Sequence, residues 1–499
     1  MKLNKKLVRF KQGVAIAAIG SIVIATGCKK DFLNVPPQAT QPAVEFWKTA
    51  SDATKAVNAT YANLHEWKNI AFAAIAVESM GSDDAEKGSS ASDATFMNDF
   101  DNFTATSTEG QIADFWAGEY QTINFANQVI DHIPAIDMDA NLKARYIGEV
   151  KFIRAYAYFR LVRAFGDVPL RLHIPVDASE YNIPRTPKAQ VWAAIEQDLI
   201  DAAGVLPTTY AASDLGRATK GAALTLHAKA ALYQKKWSDV LNYTNQVVAL
   251  GVYSLFPNYE QLFRVQNENS VESIFEIQAD VVPGNPDASN SQYSQVQGVR
   301  GSTGGGWGFN VPTPSLVAEY EANDPRKDAT IIFRGETTPE GDAIPPTGDN
   351  PMYNQKSYVP FSMYVSGYNE GAQQNIRVLR YADVLLMRAE AANEIGGAAN
   401  TTLALSDLNA VRARARGANP LTVLPPVTAT DQATLRAAIY HERRVEFAME
   451  FDRYFDVIRQ GRGLAVFGPK GWTAKNEVWP LPQNEIDLSA GVLTQNPGY

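Results

Sequence analysis

A chain of 499 residues, 45% hydrophobic and 20% charged, has the composition of a folded protein that can bury a large core. Its formal net charge of −9 gives no general attraction for nucleic-acid phosphates or anionic headgroups, so nucleic acid is excluded as a partner. A single cysteine excludes an internal disulfide and a cysteine-based metal cluster.

That cysteine, Cys28, ends the first element. Lys2, Lys5, Lys6, Arg9 and Lys11 form a basic start, Val14–Ala25 is a short apolar run, and small residues precede Cys28. This is the layout of a secretory signal, too short to span a bilayer comfortably. Residues 1–27 are therefore read as a signal peptide and 28–40 as a tether stiffened by Pro36-Pro37.

From Pro42 to Trp67 the apolar spacing predicts a helix, and 81–101, polar and rich in small residues, predicts a long loop. Another helix is predicted over Ile112–Ile133. Lys143–Leu170 carries two apolar stripes: Tyr146, Val150, Ile153, Ala157, Leu161 and Phe165 on one side, and Phe152, Ala155, Tyr156, Phe159 and Val162 on the other. A helix apolar on two faces must be sandwiched between neighbours. Gly166 and Pro169 stop it. Arg154 falls within the first stripe and needs a carboxylate, for which Glu446 or Glu450 is the expected partner.

Pro187–Leu206, Arg217–Tyr233 and Ser238–Leu250 follow as amphipathic helices. Two segments, 220–250 and 377–417, share a helix–turn–helix plan with alanines at the crossing positions, as in tetratricopeptide hairpins, although neither meets that full consensus. Val271–Gln278 alternates like a strand. The stretches 283–314 and 335–375 are Gly-, Asn-, Gln-, Ser- and Pro-rich loops, but they hold too many aromatics for disordered tracts. Finally, Tyr440–Arg462 is the densest charge pattern, with Glu442, Glu446 and Glu450 at i, i+4 spacing; the favoured reading is an internal ion-pair network rather than a ligand site.

Catalytic chemistry finds no support. The five histidines are scattered, His441-Glu442 lacks the second histidine of a zinc motif, and no nucleophile elbow or phosphate loop occurs. No cofactor and no metal ligand set is predicted.

In chain order the segments CKKDFLNVPP, FWAGEYQTINFANQVI, FIRAYAYFRLVRAFGDVPL, RATKGAALTLHAKAALY, GGWGFNVPTPSLVAEYEANDPRKDATI, IRVLRYADVLLMRAEAANE, LNAVRARARG, HERRVEFAMEFDRYFDVIRQGR and WPLPQNEIDLSAGVLTQNPGY resemble the SusD/RagB family of outer-membrane lipoproteins. The resemblance covers nearly the whole chain after Cys28. It implies a mainly α fold, with tetratricopeptide-like hairpins forming a right-handed superhelical scaffold and a loop-rich irregular part with a few short strands. Within one domain over 41–499, the scaffold is expected at 41–270 and 376–465, the ligand-binding loops at 271–375 and a C-terminal segment at 466–499. The residues before Cys28 resemble a lipobox, which implies lipidation of Cys28 and a surface-exposed place on the outer membrane.

Members of such a family capture a nutrient, usually an oligosaccharide, and pass it to a SusC-like TonB-dependent transporter. They are not enzymes. Sugars pack their C–H faces on aromatic rings, so the loop aromatics are the expected ligand-binding residues: Trp67, Tyr293, Trp307, Tyr353, Tyr358 and Tyr364. Trp116 and Trp192 lie on helix faces and read as core. Peptide capture, a surface hydrolase and a pure scaffold are the alternatives.

Overall fold

The computed structural model describes residues 46–285, 291–301 and 305–499. The signal, the tether and Cys28 lie outside them, as does the start of the helix expected from Pro42. The molecule is mainly helical with six short strands among the described residues, as the sequence predicts.

The longer helices are α1 (Ala50–Ala62), α2 (Gly110–His132), α3 (Ala140–Phe165), α4 (Lys188–Val205), α5 (Lys220–Tyr233), α6 (Trp237–Ala249), α7 (Tyr381–Ile395), α8 (Ala398–Arg416) and α9 (Gln432–Phe447). Their starts follow local chemistry. Thr49 and Asp52 form a reciprocal capping box on α1, and the side chains of Asp139, Thr219 and Asp431 cap α3, α5 and α9. Each helix from α1 to α8 packs on the next in sequence, and α9 closes on α7 and α8. Such stacking follows when each hairpin cannot bury its own apolar face. Short crossings are possible because α5 and α7 bury alanines: Ala222, Ala223, Ala228, Ala230 and Ala231 on one, Ala382, Ala389, Ala391 and Ala392 on the other.

α3 lies at the centre. Both predicted stripes are buried, with Val150, Phe152, Ile153, Ala155, Ala157, Leu161 and Phe165 fully inaccessible and Tyr156 half-buried. Arg154 is buried too, but its partner is neither Glu446 nor Glu450. It grips Asp198 on α4 through two 2.8 Å bonds, and its Nη1 donates to Asn127 Oδ1 and the Leu172 carbonyl at 2.7 Å. The neighbouring helix supplies the carboxylate; Glu446 on α9 and Glu450 just beyond it serve other cations.

Those acids form the expected internal network. Glu442 accepts from Arg326 and Arg412, Glu446 from Arg326, Arg380 and Arg414, and Glu450 from Arg380 and Lys356. Burial alone would raise the Glu446 carboxyl, but Arg414, Arg380 and Arg326 around it hold it below the usual value. The arginines on other strands and helices thereby pin α9 into the bundle.

The strands form three antiparallel pairs. β1 (Ala85–Gly88) pairs with β3 (Phe309–Pro312), β2 (Ser273–Ile277) with β6 (Ile376–Arg380), and β4 (Ile331–Phe333) with β5 (Met352–Asn354). The sequence predicts β2; β1, β3 and β5 fall in stretches it reads as loops, β4 lies between two of those stretches, and β6 takes the start of the 377–417 segment read as a helical hairpin, whose first helix begins only at Tyr381. Segment 81–101 is thus no continuous loop: it holds β1 and the short helix Met97–Asp101. β1 and β3 are four residues each, with no clean alternation to reveal them.

Candidate functional site

The β1–β3 pair carries an aromatic cluster at one end. Gly88 lies opposite Phe309, and the Ser89 amide donates to the Gly308 carbonyl at 2.6 Å, so the chain on either side of the ladder is locked. A side chain at Gly88, where φ is +67°, would put its Cβ 2.4 Å from that carbonyl; only glycine fits. Trp307, just before β3, has its amide bonded to the Gln295 carbonyl at 2.8 Å. Gly306 touches Gly298 so closely that a Cβ there would lie 2.3 Å from the Gly298 backbone. Trp307 is therefore held from both sides by backbone.

Trp67 arrives from a separate segment, the short helical turn Trp67–Ile70. Its ring centroid is 6.0 Å from that of Trp307, at 55° between planes. Phe72 joins them, at 5.3 Å from Trp67, 6.0 Å from Trp307 and 4.8 Å from the buried Phe309, and Phe96 adds an edge contact 6.2 Å from Phe72. Trp67, Phe72, Phe96 and Trp307 are each half-buried, whereas Phe309 beneath them is 4% exposed. Two indoles set at an angle over a phenylalanine floor make a curved apolar surface with one side open to solvent.

Polar groups flank it. Arg300 donates to Ser89 Oγ at 3.0 Å and pairs with Asp93 at 2.8 Å and Asp349 at 3.5 Å. Ser89 and Ser90 hydroxyls, and then Arg300, hold the Asp93 carboxyl below its ordinary value. Gln295 donates to Glu370, which lies against Gly305, and Lys68, next to Trp67, pairs with Asp114 at 3.2 Å. These side chains offer amide, carboxylate and guanidinium groups beside the rings. Among the described residues no three His, Cys, Asp or Glu side chains converge as metal ligands would.

Of the six aromatic candidates, the structure brings together Trp67 and Trp307. Tyr293, Tyr353 and Tyr358, expected on an open ligand surface, are instead buried, at 7%, 0% and 3% exposed. Tyr293 packs edge-on against Phe451, and burial pushes its hydroxyl up to about 12. Tyr353 is bonded through its hydroxyl to Arg334, and Tyr358 to Asp342 and Thr338. They hold the loops together. Tyr364 is half-buried against Phe361, and among the described residues no ring contact joins it to the tryptophans. Trp116 and Trp192 are core residues, 3% and 8% exposed. Phe72, Phe96 and Arg300 escape the sequence reading because a phenylalanine near a helix pattern and a lone loop arginine carry no signal of their own.

Comparison with known proteins adds the family. The model described as "SusD family" matches residues 271–499, and the one described as "Starch-binding associating with outer membrane" matches 31–232. SusD-like protein P2 of Formosa agariphila is 29% identical, over 97% of this chain and 99% of its own length. A solved laminarin binding SusD-like protein is 29% identical and superposes with a TM-score of 0.78, covering 91% of this chain and all of that one. A SusD-like protein from Bacteroides fragilis is 26% identical with a TM-score of 0.77, covering 91% and 98%. With both halves matched and relatives alike from end to end, the chain belongs to the SusD/RagB family.

Proposed function

We propose that this protein captures a glycan on the Trp67–Trp307 surface, outside the cell, and delivers it to a SusC-like TonB-dependent transporter. The observation that carries the reading is the surface itself: two half-buried indoles, brought from segments 240 residues apart and fixed by backbone contacts, lie among unburied polar side chains. A sugar presents an apolar C–H face with hydroxyls around its edge, which is the complement of that arrangement. The relative solved as a laminarin binding protein supports a glycan, and makes laminarin the first ligand to try. Lipidation at Cys28 would tether the protein to the outer membrane and leave the scaffold free to carry the surface outward.

The protein acts by binding and not by hydrolysis. A glycosidase needs one carboxyl raised to serve as general acid. Asp93 beside the rings is held low instead, and both it and Asp349 are spent on Arg300.

The test is gel retardation on laminarin, starch and other polysaccharides, with Trp67→Ala and Trp307→Ala as controls. A stacked sugar removes about 100 Å² of apolar surface from water, so each loss should cost about 2.5 kcal/mol, roughly 70-fold in affinity. Retardation unchanged in both variants would remove the site. Release of reducing ends by the wild-type protein would overturn the non-catalytic reading, and retention of peptides in place of glycans would favour peptide capture.

A further inference from the structure

The outer side of α9 carries a second feature, remote in function from the tryptophans. Between α9 and the short helix Arg453–Arg459 opens a depression of about 340 Å³, with Arg436, Tyr440, His441, Arg444, Arg453 and Arg462 on its wall. Among the described residues Glu319 is the carboxylate that lines it.

Most of the positive charge is already matched. Arg444 is committed on every nitrogen, to Asp84 at 2.8 Å, Glu319 at 2.6 Å, and Asp83 and Ser315 at 3.0 Å. Arg436 forks onto Glu394, and His441 shares its Nδ1 with Glu319 at 2.8 Å. Arg453 holds Asp83 through Nε and Nη2, and among the described residues its Nη1 makes no hydrogen bond.

Arg462 differs. Among the described residues its guanidinium makes one hydrogen bond, from Nη1 to the neutral Gln460 at 3.2 Å, and lies 5.8 Å from the Tyr440 ring centroid. Among the described residues no carboxylate comes within ion-pair distance of it. Burial, and then the neighbouring Arg453 cation, push Arg462 below its ordinary value, with Asp83 acting in the opposite sense. The Tyr440 hydroxyl is also without a partner among the described residues.

We infer that this depression binds an oxyanion carried on a saccharide, the carboxylate of a uronic acid or a sulfate ester. Arg462 supplies the planar fork that suits either group, and Arg453 Nη1 a second donor on the same wall. The Tyr440 ring and the Ala433 and Ala437 methyls offer an apolar floor for the sugar attached to the charge. The volume reaches the range of small-ligand sites, far more than a bare inorganic anion fills. The site does not rest on the Trp67–Trp307 reading, and either can fail alone.

Calorimetry on the full mature chain at low ionic strength tests it, with sodium sulfate, glucuronate, a sulfated oligosaccharide and the same oligosaccharide unsulfated. The charged saccharide should bind at least tenfold tighter than the unsulfated one and tighter than inorganic sulfate, and salt should weaken it. Arg462→Gln should lower that affinity at least tenfold while leaving neutral-glycan retardation unchanged. Arg462→Lys, which keeps the charge and loses the fork, should fall between. Should Arg462→Gln fail to fold, as read by circular dichroism, Arg462→Lys and Tyr440→Phe carry the test. The inference is overturned if no anionic probe binds, if inorganic sulfate binds as tightly as the charged saccharide, or if the folded variants bind it as wild type does.

Discussion

Replacing Asp198 by leucine isolates the energetics of the central helix. In the native protein Arg154, 4% exposed, has four donor contacts: two to Asp198, one to Asn127 and one to the Leu172 carbonyl. Asp198→Leu leaves a buried guanidinium facing an apolar side chain, with Asn127 and a carbonyl as its remaining acceptors. Stranding one partner of a buried pair costs about 3–5 kcal/mol, because the surviving charge stays desolvated without its Coulombic compensation. At an m-value of about 3 kcal/mol/M in urea, that is a midpoint shift of roughly 1–1.7 M. The double variant Arg154→Leu, Asp198→Leu removes both charges and should recover most of the loss, since Asn127 keeps its bond to the Arg171 carbonyl at 3.0 Å. Equilibrium urea unfolding followed by tryptophan fluorescence reads all three chains. An Asp198→Leu protein within about 1 kcal/mol of wild type, or a double variant no better than the single, would refute the reasoning.

Three further outcomes are expected. His227, 4% exposed and stacked 3.8 Å from the Tyr243 ring, is held down to about 4 by burial, so the unfolded chain binds its proton first as pH falls. Its contribution is intact above about pH 6.5 and declines towards pH 4, by about 3 kcal/mol across the window; His227→Gln should flatten the urea midpoint between about pH 7 and pH 4.5. Gly306→Ala places a Cβ 2.3 Å from the Gly298 backbone, so the Trp307 loop must shift; glycan retardation should weaken while the melting temperature moves by only a few degrees. Glu446→Gln leaves Arg326, Arg380 and Arg414 short of a shared carboxylate and should cost about 3–5 kcal/mol in the same urea assay; a cost below about 1 kcal/mol would show that Glu272, Glu442 and Glu450 already suffice.

Most helices were legible because their information is local. The two stripes of α3 and the Gly166 stop are statements about residues within a few positions of one another. Period and capping chemistry need no tertiary knowledge. The same holds for Arg154: its place in an apolar stripe demands a carboxylate, whichever one that is.

What the sequence could not decide was which distant groups meet. Asp198 rather than Glu446 answers Arg154 because α4 packs directly on α3, a fact of helix order and crossing. Trp67 and Trp307 read as two aromatics among many; they become neighbours only in the fold, which sets their rings 6.0 Å apart. Tyr293, Tyr353 and Tyr358 have the same loop composition around them, yet the fold turns their rings inward, where their hydroxyls find protein partners. A polar-tipped ring is equally at home half-wet or bonded inside, so composition alone cannot choose between the two. Family and fold class are written in local pattern along the chain; which distant aromatics become neighbours is decided by tertiary contacts, and those form only when the whole chain is in place.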